Sequence, residues 1–233
     1  MLPIVYIDDH LVAIAKPAGL LVHRTALDAQ EEVFALQLLR DQLGRPVWPV
    51  HRLDKGTSGL LLFALSAEIA ARVGPLFEQG LAKKRYLALV RGWPAAESGS
   101  IEHPLARDPE KPSAGQTLLD ARTDWRLLQR LEWPLQTDTR FASSRFALVE
   151  ASPFSGRRHQ IRRHLKHIAH PIIGDATHGK GPLNRAVAAY LGLQRLWLHG
   201  LELQIAHPAD GRPLVLKAPP GPEWQLLRAQ AAG

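Results

Sequence analysis

His51-Arg52-Leu53-Asp54-Lys55-Gly56-Thr57-Ser58-Gly59 runs directly into Leu60-Leu61-Leu62-Phe63-Ala64-Leu65. The run from Gly59 to Leu65 is continuously apolar and bounded by turn residues, which reads as a buried strand. The residues before it form a turn, with Asp54 between Arg52 and Lys55 and with glycines and hydroxyls that let the backbone approach closely. A charged turn feeding a buried strand sets the pattern for the rest of the chain.

Before it, Ile4 to Asp8 and Leu11 to Ala15 read as a hairpin, broken by Pro17-Ala18-Gly19. Glu31 to Leu43 has a helical period, with Val33, Leu36, Leu39 and Leu43 on one face and Gly44 as its stop. After it, Ala67 to Gln79 is a second amphipathic helix, expected to be disturbed at Pro75. Tyr86 to Val90 reads as a strand ending at Gly92. From Trp93 to Gln116 the composition shifts to Pro, Gly, Glu and Ser, a surface excursion that extends to residue 120. Thr123 to Leu131 and Ser144 to Ala151 read as sheet partners, and Ser155-Gly156 leads into a helix over Gln160 to Ile168. Leu196 to Ile205 alternates as a strand with one wet face, and Asp210-Gly211 returns it as Pro213 to Leu216. Successive strands with a few interposed helices predict an α+β fold with a mixed, largely antiparallel sheet. The chain contains no internal repeat, and residues 1–233 read as one domain.

The chain has 233 residues, 45% hydrophobic and 22% charged, which excludes a disordered or low-complexity protein. Cysteine is absent, so disulfides, thiolate metal sites, iron–sulfur clusters and a cysteine nucleophile are all excluded. Asp8, Asp9 and Lys16 interrupt the N-terminal apolar stretch, and no uncharged run approaches the roughly 18 residues a membrane helix needs. The expectation is a soluble, cytoplasmic protein. It is expected to be monomeric, because no zipper or leftover apolar segment stands out.

The formal net charge is +7, and the excess is local. Between Gly156 and Lys180 stand Arg157, Arg158, Arg162, Arg163, Lys166 and Lys180, opposed only by Asp175. His159, His164, His167, His170 and His178 lie among them. A cluster of this kind is the footprint of a phosphate-rich partner, although a solvated basic surface has the same composition.

Three segments can carry chemistry. In the first, cations around Asp54 favour its ionised form, which suits a nucleophile or a charge-stabilising carboxylate; an ion-paired surface turn would look alike. In the second, Gly156 to His164, Gly156 permits a sharp entry and the helix start that follows can receive an anion. There Arg158 and Arg162 fall on one helical face, as do Gln160 and His164. His164 and His167 could share a metal, but no carboxylate or thiolate lies within that helix to complete the site, and no metal is expected. The third is Lys83-Lys84-Arg85-Tyr86, where a phenol behind three cations could stack on a base or simply belong to the core.

HRLDKGTSG, KRYLALVRG and GRRHQIRRHLKHIAHPIIGD, in this order, closely resemble the three signatures of the RluA family of RNA pseudouridine synthases. The similarity begins at LVAIAKPAGLLVHR and runs to RLWLHGLELQIAHPADGRPL, which resembles that family's closing hairpin. VHR at Val22 to Arg24, HPIIGDATHG and LGLQRLWLH resemble the branch that modifies uridine 65 of tRNA. The S4-type RNA-binding module of some relatives is not expected, because the catalytic pattern starts at once.

The resemblance implies an isomerase with a basic cleft, acting on RNA, tRNA above all, without a cofactor. It makes Asp54 the catalytic aspartate, Tyr86 the aromatic residue under the target base, and Arg162 the partner of the Asp54 carboxylate. Arg52 is implied to displace the uridine from its stack. With Arg52, the residues His51, Lys84, Arg85, Arg157, Arg158, His159, Gln160 and Arg163 are implied to bind RNA. A carboxylate beside C1′ can attack that carbon or help form a glycal, and both routes stay open. An RluA-type synthase for another tRNA or rRNA uridine fits the same motifs. So does a non-catalytic RNA-binding module, which would not need Asp54, whereas a metal-dependent nuclease would gather several carboxylates.

Overall fold

The computed structural model describes residues 1–23, 32–112 and 114–229. Along the chain, β1 (Ile4–Ile7) and β2 (Leu11–Lys16) precede α1 (Ala35–Leu43), β3 (Trp48–Pro49), β4 (Ser58–Ala64) and α2 (Ala67–Glu78). Next come β5 (Lys83–Arg91), β6 (Ser98–Glu102), β7 (Leu105–Ala106), β8 (Leu118–Leu119), β9 (Arg122–Trp133) and β10 (Ser144–Pro153). Then α3 (Gln160–His167), α4 (Gly181–Leu191), β11 (Leu198–Ala206) and β12 (Pro213–Lys217) lead to a short helical end at Pro222–Ala229. These elements form the expected mixed, mostly antiparallel sheet with helices. They fall into two compact units, Met1–Lys84 with His199–Pro219, and Arg85–Leu198 with Pro220–Gly233.

In the first unit β4 is the central strand, and all seven of its residues are buried. It pairs antiparallel with β2 and β3 and parallel with β11 at His199 opposite Ser58, while β12 folds back on β11. Leu11, Leu60, Leu62, Ile69, Val73 and Leu203 pack one continuous core. Each such side chain, once removed from water, contributes about 1.5–3 kcal/mol. Ser66 caps α2 by accepting the Ile69 N–H at 3.2 Å, and Ile69 and Val73, one turn apart, face that core.

The second unit is antiparallel throughout, with β10 between β5 and β9, and β6 on the far side of β9. One apolar cluster gathers Val90, Val149, Ile161, Leu165 and Leu198. Another gathers Trp133, Phe146, Val187, Trp197 and Trp224.

The structure departs from several expectations. Pro75 lies inside α2 and removes the bond to the Ala71 carbonyl, yet the helix continues to Glu78, and the Pro75 carbonyl still accepts the Gln79 N–H at 2.9 Å. The segment from Trp93 to residue 120 is not only a surface excursion: β6, β7 and β8 form within it, and Ile101, Leu105 and Ala106 are buried. Helix α4 was not expected, although Leu183, Val187 and Leu191 recur every four residues between Pro182 and Gly192. Lastly, the sharp turn into α3 falls on His159, at φ 56°, and not on Gly156. Arg24 of the VHR segment and Glu31 lie outside the described residues; α1 begins only at Ala35, and Val33, expected on its apolar face, precedes it and is exposed.

Candidate active site

The turn bearing Asp54 lies between β3 and β4 and is held from below. The Asp54 carbonyl accepts the Thr57 N–H at 3.0 Å, closing the turn. The neighbouring Lys55 carbonyl accepts the Gly19 N–H at 2.8 Å and the Lys16 ammonium at 3.3 Å. Lys16, only 1% exposed, also donates to the Pro17 and Leu20 carbonyls at 2.9 and 2.7 Å. Two distant segments, LVAIAKPAG and HRLDKGTSG, are thereby tied together. At the far end of the turn Ser58 Oγ meets His199 Nδ1 at 2.8 Å, while His199 Nε2 lies 2.9 Å from the Ala218 carbonyl. A carbonyl only accepts, so Nε2 carries the proton and the Ser58 hydroxyl donates to Nδ1. The Asp54 side chain is half-buried, and Arg52 and Lys55 are exposed.

His51 and Lys84 also belong to the first unit, and both are drawn inward. The His51 ring stacks on Phe77 at 4.7 Å and its Nε2 accepts the Leu62 N–H at 3.0 Å. Burial, and then the charge of Lys84, push the His51 imidazole down to about 3. Burial pushes the Lys84 ammonium, 8% exposed, down to about 8.

The second unit holds Tyr86, Arg85 and the basic segment. Tyr86 pairs with Ala151 across β5 and β10 and packs, half-buried, on the Ile161 and Leu165 side of the core. Arg85 pairs with Glu150, which also receives Arg126 at 3.4 Å. The expected common face of Arg158 and Arg162 does not form, because Arg158 precedes the helix. It turns instead to Glu110 and Asp108, while Arg162 is held by Asp175. Gln160 and His164 do share a face, and both reach the Thr123 hydroxyl, at 3.1 and 2.9 Å. Gln160 is 4% exposed; its carbonyl oxygen accepts the Ser155 hydroxyl and the Arg157 N–H, and its amide also donates to the Arg122 carbonyl. His164 Nε2 donates to the His103 carbonyl at 2.9 Å, and His167 stacks on His103 at 3.9 Å. Arg157 is exposed, with Nε on the Asp120 carbonyl, and Arg163 reaches the Ala106 carbonyl at 2.9 Å.

The best-formed contact in this segment is Arg162 on Asp175. The guanidinium, 8% exposed, places Nε 2.7 Å and Nη2 2.8 Å from the two oxygens of a carboxylate that is 1% exposed. Burial alone would push the Asp175 carboxyl up; the hydrogen bonds and charge of Arg162 outweigh it and hold the group below the usual carboxylate range. Burial pushes His178, beside it, down to about 4.

Residues 10–167 match the model of the RNA pseudouridylate synthase family, a span that includes the Asp54 turn, Tyr86 and all of α3. The chain belongs to that family. RNA pseudouridylate synthases are isomerases, and so is this one. It is 45% identical over 235 residues to the tRNA pseudouridine synthase C of Vibrio cholerae, covering 99% of this chain and 96% of that protein. It is 44% identical to the same-named protein of Haemophilus ducreyi, covering 97% and 94%. Its fold matches the human RNA Pseudouridylate Synthase Domain Containing 1 with a TM-score of 0.73 at 24% identity, over 100% of this chain and 96% of that one.

For an RNA pseudouridylate synthase of the RluA type, the sequence located the segments better than the contacts within them. Asp175 ends the third signature and is the single acid opposing the basic run, but its spacing from Arg162 gives no sign of pairing. Lys16, Ser58 and His199 were not singled out either. Their signal, a lysine before Pro17 and a buried polar pair across β4 and β11, becomes legible only once the strands are aligned.

Proposed function

We propose that this pseudouridine synthase acts on tRNA, at uridine 65, with Asp54 as the nucleophile. The observation that carries the tRNA reading is the likeness, along nearly the whole chain, to proteins named tRNA pseudouridine synthase C. VHR, HPIIGDATHG and LGLQRLWLH support the position.

Isomerisation breaks the C1′–N1 bond of the uridine, turns the base, and joins C1′ to C5. The C5 proton leaves and N1 gains one, so nothing is oxidised and nothing is hydrolysed. Asp54 attacks C1′ as the N1 bond breaks and departs when C5 takes its place. Arg162 pairs with the Asp54 carboxylate, keeps it charged and aims it. The uridine must first leave its stack, at a cost of a few kcal/mol, and the ring of Tyr86 recovers part of that cost by stacking on the extruded base. Arg52 and Arg157, both exposed, are suited to the displaced strand and its phosphates.

The test is to map pseudouridine in total tRNA by the chemical derivatisation that stops reverse transcription, in cells with and without the gene. The expected result is loss of the stop at tRNA position 65 alone, restored by the gene. A tRNA pattern unchanged by the deletion would overturn the assignment.

A further inference from the structure

Asp175 makes no part of the reaction described above, yet both of its carboxylate oxygens are engaged. One oxygen accepts Arg162 Nη2 together with the backbone N–H groups of Thr177 at 3.0 Å and His178 at 2.8 Å; the other accepts Arg162 Nε. Its own carbonyl accepts the Gly179 N–H at 3.0 Å and the Asn184 amide at 2.9 Å, and Asn184 in turn receives the Gly174 N–H. Gly174 lies at φ +78°, and a Cβ there would fall 1.7 Å from the Arg195 carbonyl oxygen, so only glycine brings the chain through at this point. A carboxylate fixed through its side chain, its carbonyl and the residues on both sides has little freedom to follow a moving partner.

The pair is also fixed in orientation. A guanidinium gripped through Nε and Nη2 is held in plane by two parallel bonds, and its Nη1 edge points away from the gripping carboxylate. Burial removes competing water from both groups.

We propose that Asp175 is a positioning residue for the isomerisation: it locks Arg162 by one edge, so that the opposite edge is presented to the catalytic carboxylate in a single orientation. The inference rests on the reading above, in which Arg162 pairs with Asp54. It adds that the aim of Arg162 is set by an anion thirteen residues further along the chain, at the far end of the same signature.

A mutant cycle on the full chain tests this, with Asp175→Asn, Arg162→Lys and the double variant assayed in single turnovers at saturating tRNA. Asp175→Asn keeps the shape and the capacity to accept the Thr177 and His178 N–H groups, but turns an amide against Arg162. Its maximal rate should fall about tenfold to a hundredfold, as small misplacements of catalytic groups do. Its tRNA dissociation constant should stay within about threefold, because binding does not pass through Arg162's aim. The double variant should be no more than about twofold slower than Arg162→Lys, since Asp175 has nothing left to aim. Multiplied losses in the double variant, or a wild-type rate in Asp175→Asn while Arg162→Lys is slow, would overturn the role of Asp175 and leave that of Arg162 standing. A wild-type rate in Arg162→Lys would instead remove the underlying reading, and this inference with it. Should Asp175→Asn fail to fold, Asp175→Glu keeps the charge one methylene further out, and the cycle is read with it. A rate at least about fivefold lower is expected there with unchanged binding, and a wild-type rate overturns the proposal.

Discussion

His51 is kept neutral by its surroundings: burial and the charge of Lys84 push it down to about 3, against an ordinary histidine value of 6.5. The unfolded chain takes up a proton near pH 6.5 that the folded chain refuses until about pH 3. The unfolded state thus binds more protons in that window, and stability falls as pH falls through it, by up to about 1.4 kcal/mol per pH unit. His51→Gln offers an amide oxygen to the Leu62 N–H and cannot be protonated. In urea denaturation at pH 7 and pH 5, wild type should lose about 2 kcal/mol more than His51→Gln between the two. Equal losses would contradict this account, and the slope left in the variant should come largely from His178, which burial pushes down to about 4. The motif located His51 but gave no sign of this environment. A polar side chain in a signature reads the same whether it faces solvent or, like His51 and Gln160, has its polar atoms engaged within a unit. The signature singles out Asp54, whose charged neighbours alone would equally mark an ion-paired surface turn. The pairing of Asp175 with Arg162 was not legible, because the folding of residues 174–179 and their packing against α4 are needed to bring the two together.

At the scale of elements, the turn that carries Asp54 depends on how β4 meets β11. Gly59, opposite Gly200, lies at φ +108°, and a Cβ on it would sit 2.3 Å from the Gly200 carbonyl oxygen and 2.5 Å from its nitrogen. Backbone cannot yield there as a flexible side chain could. Gly59→Ala should therefore cost about 2–4 kcal/mol, from a forced left-handed conformation together with overpacking. Urea denaturation measures this directly, and a loss below about 0.5 kcal/mol would show that the strands separate more easily than their register implies. Strands were legible wherever apolar residues ran together or alternated, and the expected ends of β4, β10 and β12 lie within two residues of the observed ones. Elements whose signal is spread out were missed. Leu105–Ala106 and Leu118–Leu119 are too short to show a period, and β6 is a Ser-Gly-Ser strand whose pairing with β9 supplies what its composition lacks. In α4 the apolar residues recur every four positions, but the flanking Gly, Pro and Asn read as loop.

For the molecule as a whole, the fold and the family follow from agreement between three separated signatures and the sheet that carries them. No helix among the described residues is long and apolar enough to cross a membrane. The excess of positive charge suits a polyanionic substrate. In the proposed reaction Asp54 performs the bond exchange while the surrounding basic residues hold the RNA. Purified wild type and Asp54→Asn, given the same unmodified tRNA transcript, test it most directly, with pseudouridine and RNA affinity measured on the same samples. Asparagine is nearly isosteric and removes only the charge, so the account predicts no pseudouridine from the variant at any time, with RNA affinity equal to or above that of wild type. Turnover by Asp54→Asn, beyond what contaminating wild-type enzyme could give, would contradict it.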